Sequence, residues 1–336
     1  MTETLPTVEP EYDVATPLDT DFYLALADVS DAEKDVWRRA RAFALEPDVL
    51  PRIREAWDRH EYPLDLVARL GQADLLRDGV PVDGLPEISR VAAGLAMMEL
   101  SRLDGSIATM TGVQGGLAMR SIQLCGSEEQ RAEHLPAMAR GELYGAFALT
   151  EPTHGSDSVS LETRAERVDG GWRLHGHKKW IGNGAAGGIT IVWARDTEDG
   201  QVKGFIVETD TPGYEATKIE HKTAVKIVQN ADITFTDVRI PAENKLEKAN
   251  TFADTNVILL GSRNGLGWQA VGAQQGILDA ARRYALERTQ FGRPIAGHQL
   301  VQSLLVQIAA NLAATLGMAH RAVQLEATGE VSMTQA

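Results

Sequence analysis

The chain has 336 residues, enough for two or three packed domains, and its 43% hydrophobic and 24% charged residues are typical of a globular protein. Its formal net charge of −14 predicts a surface that repels phosphate backbones and anionic lipid head groups. We therefore expect neither a nucleic-acid partner nor a membrane partner. The single cysteine, Cys125, excludes an intrachain disulfide and is predicted to be a small buried side chain.

Residues 1–29 are predicted to form an N-terminal tail that is flexible or loosely docked. This segment is acidic and contains prolines, and it lacks the basic and apolar regions of a secretory signal. In the rest of the chain, no apolar run approaches the ~20 residues that a membrane span requires. A cytoplasmic location is therefore expected.

Residues 30–142 are predicted to form a helical domain. Ser30 offers a helix start, and Ser127 with Gln130 three positions later has the spacing of a capping box. Pro136 is expected to kink or end the helix that Ser127 begins. Between these two starts, an approximately helical apolar stripe is formed by Val91, Leu95, Met98 and Leu103.

Residues 143–251 are predicted to form a β domain, because short segments rich in Val, Ile, Thr and Trp alternate with turn residues. The segments ITIVWAR and GFIVE are expected to pair as neighbouring strands across a short hairpin. The predicted strands cover 159–168, 172–177, 189–195, 202–208 and 232–240.

Residues 252–336 are predicted to form a second helical domain with long helices over about 253–287 and 297–328. Five glycines interrupt the first helix, which predicts close approach of another helix or a ligand. Gly329 has the position of a C′ glycine after the second helix. Ser332 resembles an N-cap, so the chain is expected to stop as a new helix begins, leaving an incomplete helical bundle. The apolar stripe of the second helix comprises Leu300, Leu304, Ile308, Leu312 and Leu316.

This order predicts an α+β fold in which a β domain separates two helical domains. Five stretches then carry a family resemblance in order and spacing: FALTEPTHGSD at 147–157, KKWIGN at 178–183, SRNGLGWQAVG at 262–272, RTQFGRPI at 288–295, and Gln299. Together they resemble the acyl-CoA dehydrogenase superfamily, nearest to its glutaryl-CoA dehydrogenase and short-chain acyl-CoA oxidase branch. The resemblance implies a helical N-terminal domain, a middle β domain and a C-terminal helical bundle.

The resemblance also implies an FAD site between the β domain and the C-terminal helices. Backbone groups of 147–150 would bond the isoalloxazine, Thr150 would donate from its side chain, and Trp180 would pack against the ring. Ser156 would face the diphosphate or the CoA arm. Arg288, Gln290, Phe291 and Gln299 match positions that reach the adenine and diphosphate end of the FAD bound in the neighbouring subunit, which implies a homotetramer built as a dimer of dimers. The implied cofactor-binding residues are Phe147, Leu149, Thr150, Ser156, Trp180, Ile181, Gly182, Arg288, Gln290, Phe291 and Gln299.

The same resemblance assigns 258–265 to the helix that lines the acyl-CoA thioester pocket. Leu260, Arg263 and Asn264, together with Ser156, would bind the substrate. Arg263 would be a buried guanidinium beside the catalytic carboxylate, where it would tune the pKa of that group. We expect the catalytic glutamate itself to fall beyond Ala336, since Ser262 occupies the alternative position of that base and cannot perform its role.

The expected reaction is FAD-dependent α,β-dehydrogenation of an acyl-CoA to the 2-enoyl-CoA, with electrons passed to an electron-transfer flavoprotein. Ala108 occupies the position of the arginine that would pair a second carboxylate, which favours a short-chain or branched monoacyl substrate. Gly182 replaces a threonine that the family places near flavin N5. That change leaves open an acyl-CoA oxidase using O₂, and a non-dehydrogenating flavoprotein on the same scaffold is the other alternative.

Two further patterns are not taken as sites. His175 and His177 alternate on one predicted strand and would need more ligands nearby to bind a metal, so no metal is expected. Gly265 and Gly267 lack the third glycine of a dinucleotide fingerprint and lie inside a predicted helix.

Overall fold

A computed structural model describes residues 21–330, and these residues form helices, then a curled sheet, then two long helices. The predicted α+β class with its three-part order is confirmed. The first helical region contains a continuous stretch in which a π-helix joins two α-helices, and one more helix follows it. Its elements are α1 Asp31–Ala44, α2 Val49–Arg59, α3 Leu64–Gln72, α4 Arg90–Leu103, α5 Gly105–Thr111, the π-helix Gly112–Met119, α6 Arg120–Cys125 and α7 Glu128–Ala139.

Both predicted helix starts are confirmed, because Ser30 and Ser127 each form a capping box with the residue three positions later. The prediction for Pro136 is wrong in part, since α7 continues through it to Ala139. Pro136 lies in the last turn, where it removes one helical hydrogen bond while Leu135 and Met138 beside it are buried in the core. Cys125 is buried as predicted, and burial raises the pKa of its thiol to about 11.

The central helix α4 is buried on every side from Ala92 to Ser101, so its predicted apolar stripe is one part of a fully enclosed helix. It packs against α1 on one side and against α8, Phe252–Glu287, on the other. At Gly272 of α8, a Cβ atom would overlap the carbonyl oxygen of Met98, and at Gly276 it would lie 2.6 Å from the carbonyl oxygen of Arg102. The predicted close approach of a helix is therefore confirmed at these two glycines.

The middle region is a sheet of seven strands: β1 Gly145–Ala148, β2 Arg164–Val168, β3 Gly171–Ile181, β4 Ile189–Asp196, β5 Val202–Glu208, β6 Tyr214–Lys218 and β7 Ala231–Pro241. Their order in the sheet is β1-β4-β2-β3-β7-β6, with β5 paired to β4. The predicted hairpin is confirmed as the antiparallel pair β4 and β5. The sequence reading missed β1 and β6, which have four and five residues, and started β2 too early because Ser158–Ser160 form a 3₁₀ turn.

The last region comprises α8, a short hairpin of β8 Thr289–Gln290 and β9 Arg293–Pro294, and α9 Gln299–Ala327. Gly329 adopts φ +72° after α9, and the N–H of Glu330 bonds the carbonyl oxygen of Leu325 at 2.9 Å, which confirms the predicted C′ glycine. The predicted N-cap Ser332 lies outside the described residues, as do residues 1–20. The described end of the N-terminal tail is docked, with Leu26 and Val29 buried.

Helix α9 is long and apolar enough to cross a membrane by length and composition, with mean hydropathy 1.5 over an 18-residue window. The expectation that no apolar run approaches a membrane-spanning length is therefore wrong, because scattered Gln, Asn and His residues do not outweigh the many Ala and Leu residues. The predicted stripe divides along the helix: Leu312 and Leu316 are buried against the core, whereas Leu300 and Leu304 are exposed.

Replacing Gly272 with alanine should destabilise the protein by about 2 kcal/mol, because the added methyl group forces α4 and α8 apart. The matched control is Gly317→Ala in α9, where a Cβ atom meets nothing within 4 Å. That change should stabilise the protein by roughly 0.5–1 kcal/mol, since alanine is the better helix former. Urea unfolding measures both, and equal stabilities for the two variants would contradict the packing described for Gly272.

Candidate functional site

The first strand of the sheet is fixed to the helical domain by one side chain of the π-helix. The Oε1 atom of Gln114 accepts the N–H of Gly145 at 2.7 Å, and its Nε2 atom donates to the carbonyl oxygen of Leu143 at 2.8 Å. Gln114 is 2% exposed, so these bonds form in a low-dielectric setting where they are strong. The π-helix and β1 therefore keep a fixed relation, and π-helical turns are frequent at functional sites.

The segment that follows β1 presents backbone rather than side chains. Phe147 and Leu149 are buried in the core, so their side chains are not available to a ligand. Thr150 is half-buried, and its carbonyl oxygen accepts the N–H of Lys179 at 2.9 Å. Within residues 21–330, neither the N–H nor the hydroxyl of Thr150 has a hydrogen-bond partner. Two polar groups are thus free for a ligand at this point of the sheet.

A buried ion pair lies behind this segment. The Nζ atom of Lys178 donates to the Oε1 atom of Glu151 and to the carbonyl oxygen of Leu149, both at 2.9 Å. The lysine side chain is 0% exposed and the glutamate side chain 3%. Burial by itself would raise the pKa of Glu151, but the Lys178 ammonium and N–H bonds from the next loop outweigh it and lower this pKa to about 2.

Trp180 lies in an irregular part of β3, where the register against β7 shifts between Lys178 and Ile181. It adopts φ +63° and its side chain is 54% exposed, next to Thr150 through the bond that Lys179 makes. A bulge that turns a large aromatic outward is a common device beside active sites. Ile181 is 2% exposed, so of this residue only the backbone can reach a ligand.

Gly182 closes the space between the sheet and the π-helix. A Cβ atom at Gly182 would lie 2.9 Å from the Cγ2 atom of Val113, which is too close for the stiff, branched valine to accept without moving. The threonine that the family resemblance leads one to expect would therefore collide with Val113 in this chain. Ser156, which the resemblance assigns to the cofactor and the substrate, is exposed in the loop after Glu151.

A cavity of about 180 Å³ lies between the π-helix and α8. Its polar groups are already bonded inside the protein: the Thr109 hydroxyl donates to Gly105, Ser262 to Leu259, and the Gln269 amide to Gly105 and Thr109. What remains for a ligand is mainly apolar. The cavity is lined by the apolar or small residues Met97, Ala108, Gly112, Val113, Gly116, Leu117, Gly265 and Leu266, and by the polar residues Asp78, Thr109, Ser262 and Gln269.

Asp78 is the one charged residue in this lining within the described part of the chain. Its Oδ2 atom accepts Nη1 of Arg90 at 3.1 Å and Nη2 of Arg120 at 3.0 Å. Burial by itself would raise the pKa of Asp78, but the two guanidinium groups lower it. Asp78 is therefore a carboxylate held in its ionised form. Sequence reading missed it, because nothing in the sequence pairs Asp78 with arginines 12 and 42 positions away.

The rotation of α8 decides which predicted substrate residues face the cavity. Ser262, Gly265, Leu266 and Gln269 line it, which is one face of a helix. Leu260 and Asn264 are not in the lining, and Asn264 instead donates to Glu326 of α9 at 2.7 Å. The prediction of a buried guanidinium at Arg263 is wrong, because Arg263 is exposed. The motif identified the right helix but not the face of it that lines the cavity, because consecutive side chains point about 100° apart around the helix axis.

The four residues assigned to a neighbouring subunit lie apart from this cavity. They occupy the β8–β9 hairpin and the start of α9, where all of them are exposed. Phe291 is 93% exposed at the tip of the hairpin, with φ +52°. Their role stays a prediction. The four are Arg288, Gln290, Phe291 and Gln299.

One cluster has the composition of a metal site. Ligand atoms of Glu151, His154 and Glu162 lie within 4.8 Å of one another. Glu151, however, already accepts hydrogen bonds from Lys178 and from the N–H groups of Glu162 and Thr163. Its oxygens are engaged, so this arrangement is better explained as the surroundings of the ion pair.

Three family models match in consecutive order. They describe the N-terminal, middle and C-terminal domains of acyl-CoA dehydrogenase and match residues 30–142, 146–238 and 252–336. The chain belongs to the acyl-CoA dehydrogenase family. It is 34% identical over 303 residues to an acyl-CoA dehydrogenase of Bacillus subtilis, covering 87% of this chain and 78% of that one. It is 32% identical over 291 residues to the mouse mitochondrial short-chain specific acyl-CoA dehydrogenase, covering 85% and 70%.

Solved structures agree with this assignment. A glutaryl-CoA dehydrogenase of Mycobacterium smegmatis superimposes with a TM-score of 0.87 at 35% identity, over 92% of this chain and 80% of that one. A glutaryl-CoA dehydrogenase of the same organism in complex with FADH2 gives 0.87 at 31% identity, over 92% and 81%. A structure described as the electron transferring flavoprotein of Acidaminococcus fermentans gives 0.85 at 29% identity, over 90% and 81%.

This acyl-CoA dehydrogenase family member is a flavoenzyme with FAD as its cofactor, as predicted. The residues present fit such a group. A flavin has a flat apolar face and a polar pyrimidine edge. Trp180 offers an exposed aromatic face, and Thr150 beside it offers the two polar groups that have no partner within residues 21–330.

The stability of the protein should fall as pH decreases from about 4.5 to about 2. Glu151 has a pKa of about 2 in the folded protein against 4.5 for its ordinary value, so the unfolded chain binds its proton first. The stabilisation that ionised Glu151 contributes is complete above pH 4.5 and is lost progressively as the pH falls to about 2. Urea unfolding across this range measures the effect, and Glu151→Gln should flatten the curve there. An unchanged curve in that variant would contradict the role of the ion pair.

Proposed function

We propose that this flavoenzyme catalyses the α,β-dehydrogenation of a short-chain or branched monoacyl-CoA to the 2-enoyl-CoA. The observation that carries the proposal is the small cavity between the π-helix and α8, whose free surface is mainly apolar. An apolar protein cavity of about 150 Å³ holds a benzene molecule, so about 180 Å³ matches an acyl group of roughly six carbons. Membership of the acyl-CoA dehydrogenase family supplies the class of reaction.

The bound flavin would accept a hydride from the β carbon of the substrate. The chain supplies a site in which the acyl group displaces water and is held in one orientation between Val113 and Leu266. Removal of the α proton needs a base, which neither Ser262 nor Asp78 fits. Ser262 has no carboxylate, and the pKa of Asp78 is lowered by two arginines. The glutamate predicted from the resemblance stays the candidate base.

The cavity favours one carboxyl group over two. Ala108 lines it where the resemblance expects the arginine of a glutaryl-CoA enzyme, and the guanidinium groups of Arg90 and Arg120 are already bonded to Asp78. A second carboxylate on the substrate would be buried without a cation of its own to pair with, which is costly. Glutaryl-CoA should therefore bind much more weakly than butyryl-CoA.

For the later steps we propose an electron-transfer flavoprotein as the electron acceptor and a homotetramer as the assembly. The exposed Arg288, Gln290, Phe291 and Gln299 support an assembly in which a second chain completes the flavin site. Similarity to a structure described as an electron transferring flavoprotein supports the acceptor. The cytoplasmic location stays a prediction from the sequence.

The proposal is tested by anaerobic titration of the FAD-loaded protein with butyryl-CoA, following the visible band of the oxidised flavin. The expected result is bleaching by about one butyryl-CoA per flavin. Glutaryl-CoA is the comparison, and at least a hundredfold higher concentration of it should be needed for the same bleaching. A flavin band that shifts on binding but never bleaches would contradict dehydrogenation and favour the non-dehydrogenating alternative. Hydrogen peroxide formed from butyryl-CoA in air, without an added acceptor, would instead establish the oxidase.

Leu117→Ala should move the substrate preference toward longer acyl chains, because the truncation lengthens the apolar cavity. A methylene group in such a pocket changes kcat/KM by roughly tenfold or more. The ratio of kcat/KM for hexanoyl-CoA to that for butyryl-CoA should rise accordingly. Leu124→Ala is the matched control, because Leu124 packs on the core in α6 without lining the cavity. Equal ratios in both variants would contradict the placement of the acyl group.

A further inference from the structure

The buried ammonium of Lys178 hydrogen-bonds the peptide that joins Leu149 to Thr150. Its Nζ atom lies 2.9 Å from the carbonyl oxygen of Leu149, and its side chain has no exposed surface. In a trans peptide the C=O and N–H point in opposite directions. The N–H of Thr150 therefore points away from Lys178, and within residues 21–330 it has no acceptor.

This contact polarises the Leu149–Thr150 peptide. A cation bonded to the carbonyl oxygen draws electron density toward that oxygen, so the N–H on the other side becomes a stronger donor. The effect is large only where water cannot screen it, and Lys178 is fully buried. The donor that results belongs to Thr150, whose carbonyl oxygen accepts the N–H of Lys179, the residue before the exposed Trp180.

Glu151 neutralises the positive charge of Lys178 and is itself held in place by hydrogen bonds. Its carboxylate accepts Lys178 at 2.9 Å, the N–H of Glu162 at 2.6 Å and the N–H of Thr163 at 2.8 Å. Three segments, the end of β1, the middle of β3 and the approach to β2, therefore meet at this pair. If the lysine were removed, the glutamate would remain as an uncompensated negative charge close to the same peptide.

We propose that Lys178, balanced by Glu151, raises the reduction potential of the bound flavin by polarising the Leu149–Thr150 peptide. Reduction adds negative charge to the flavin, and a strengthened N–H donor at Thr150 stabilises that charge more than it stabilises the oxidised ring. Lys178 is thus a positioning residue that acts through a backbone group. The inference rests on the proposed placement of the flavin at Thr150.

The test compares the flavin midpoint potential of the wild type, Lys178→Met and the double variant Lys178→Met with Glu151→Gln, using dye equilibration under anaerobic conditions. In Lys178→Met the equilibrium between reduced and oxidised flavin should shift toward the oxidised form by at least tenfold, or about 30 mV for two electrons. The double variant should move part of the way back, because the unbalanced carboxylate is gone. FAD affinity of the apoprotein, from fluorescence, should fall about tenfold in Lys178→Met.

The matched control is Lys203→Met, which breaks another buried ion pair of the same sheet, between Lys203 and Asp196 on β5 and β4. It should lower the melting temperature and leave the flavin potential unchanged. Should Lys178→Met fail to fold, the charge-neutral double variant still tests the inference, since it lacks the ammonium and should have a potential below that of the wild type.

Two results would overturn the inference while FAD remains bound. One is an unchanged potential in both Lys178 variants. The other is an equal fall in potential in Lys203→Met, which would show a general effect of lost stability. Failure of the wild type to bind FAD at all would be a different result, because it removes the proposed function and this inference with it.

Discussion

The backbone contact between α4 and α8 is the constraint on which the site depends. Gly272 and Gly276 bring α8 against the carbonyl oxygens of Met98 and Arg102, so neither helix can slide or rotate freely. That contact decides which face of α8 looks toward the π-helix, and hence that Ser262, Gly265, Leu266 and Gln269 line the cavity. Gln114 then fixes the π-helix to the start of β1. Helix packing therefore sets the position of the acyl cavity relative to the strand that leads to Thr150.

Sequence patterns predicted the parts that depend on local chemistry or on motifs. Ser30 and Ser127 could be predicted as helix starts because their side chains bond backbone groups only three residues away. The glycines of α8 predicted the close approach of another helix, since glycine is otherwise unfavourable inside a helix. The helix and strand patterns predicted the order of the three regions, and five motifs in register, among them 147–157, indicated the family. The four-residue β1, which overlaps the start of the 147–157 motif, was too short to show alternation.

The remaining features depend on contacts between distant parts of the chain. Arg263 follows Ser262 directly, yet the two side chains differ by about 100° around α8, and no local signal fixes that rotation. The pairing of Asp78 with Arg90 and Arg120 joins three segments that only the folded structure brings together. The lack of space for a side chain at position 182 has the same origin, because the sheet meets the π-helix there at Val113. In the sequence Gly182 suggested a different electron acceptor, but the structure shows that a side chain at this position would also collide with Val113.

The π-helix Gly112–Met119 has a consequence for how such proteins can diverge. A π-turn is in effect one extra residue within an α-helix. Deleting a single residue from this stretch would restore α-helical geometry and rotate Val113 and everything before it relative to Leu117. The wall of the cavity would then change in one step while the β domain kept its sequence. A deletion here would thus move several lining residues at once, whereas a point substitution such as Leu117→Ala changes one.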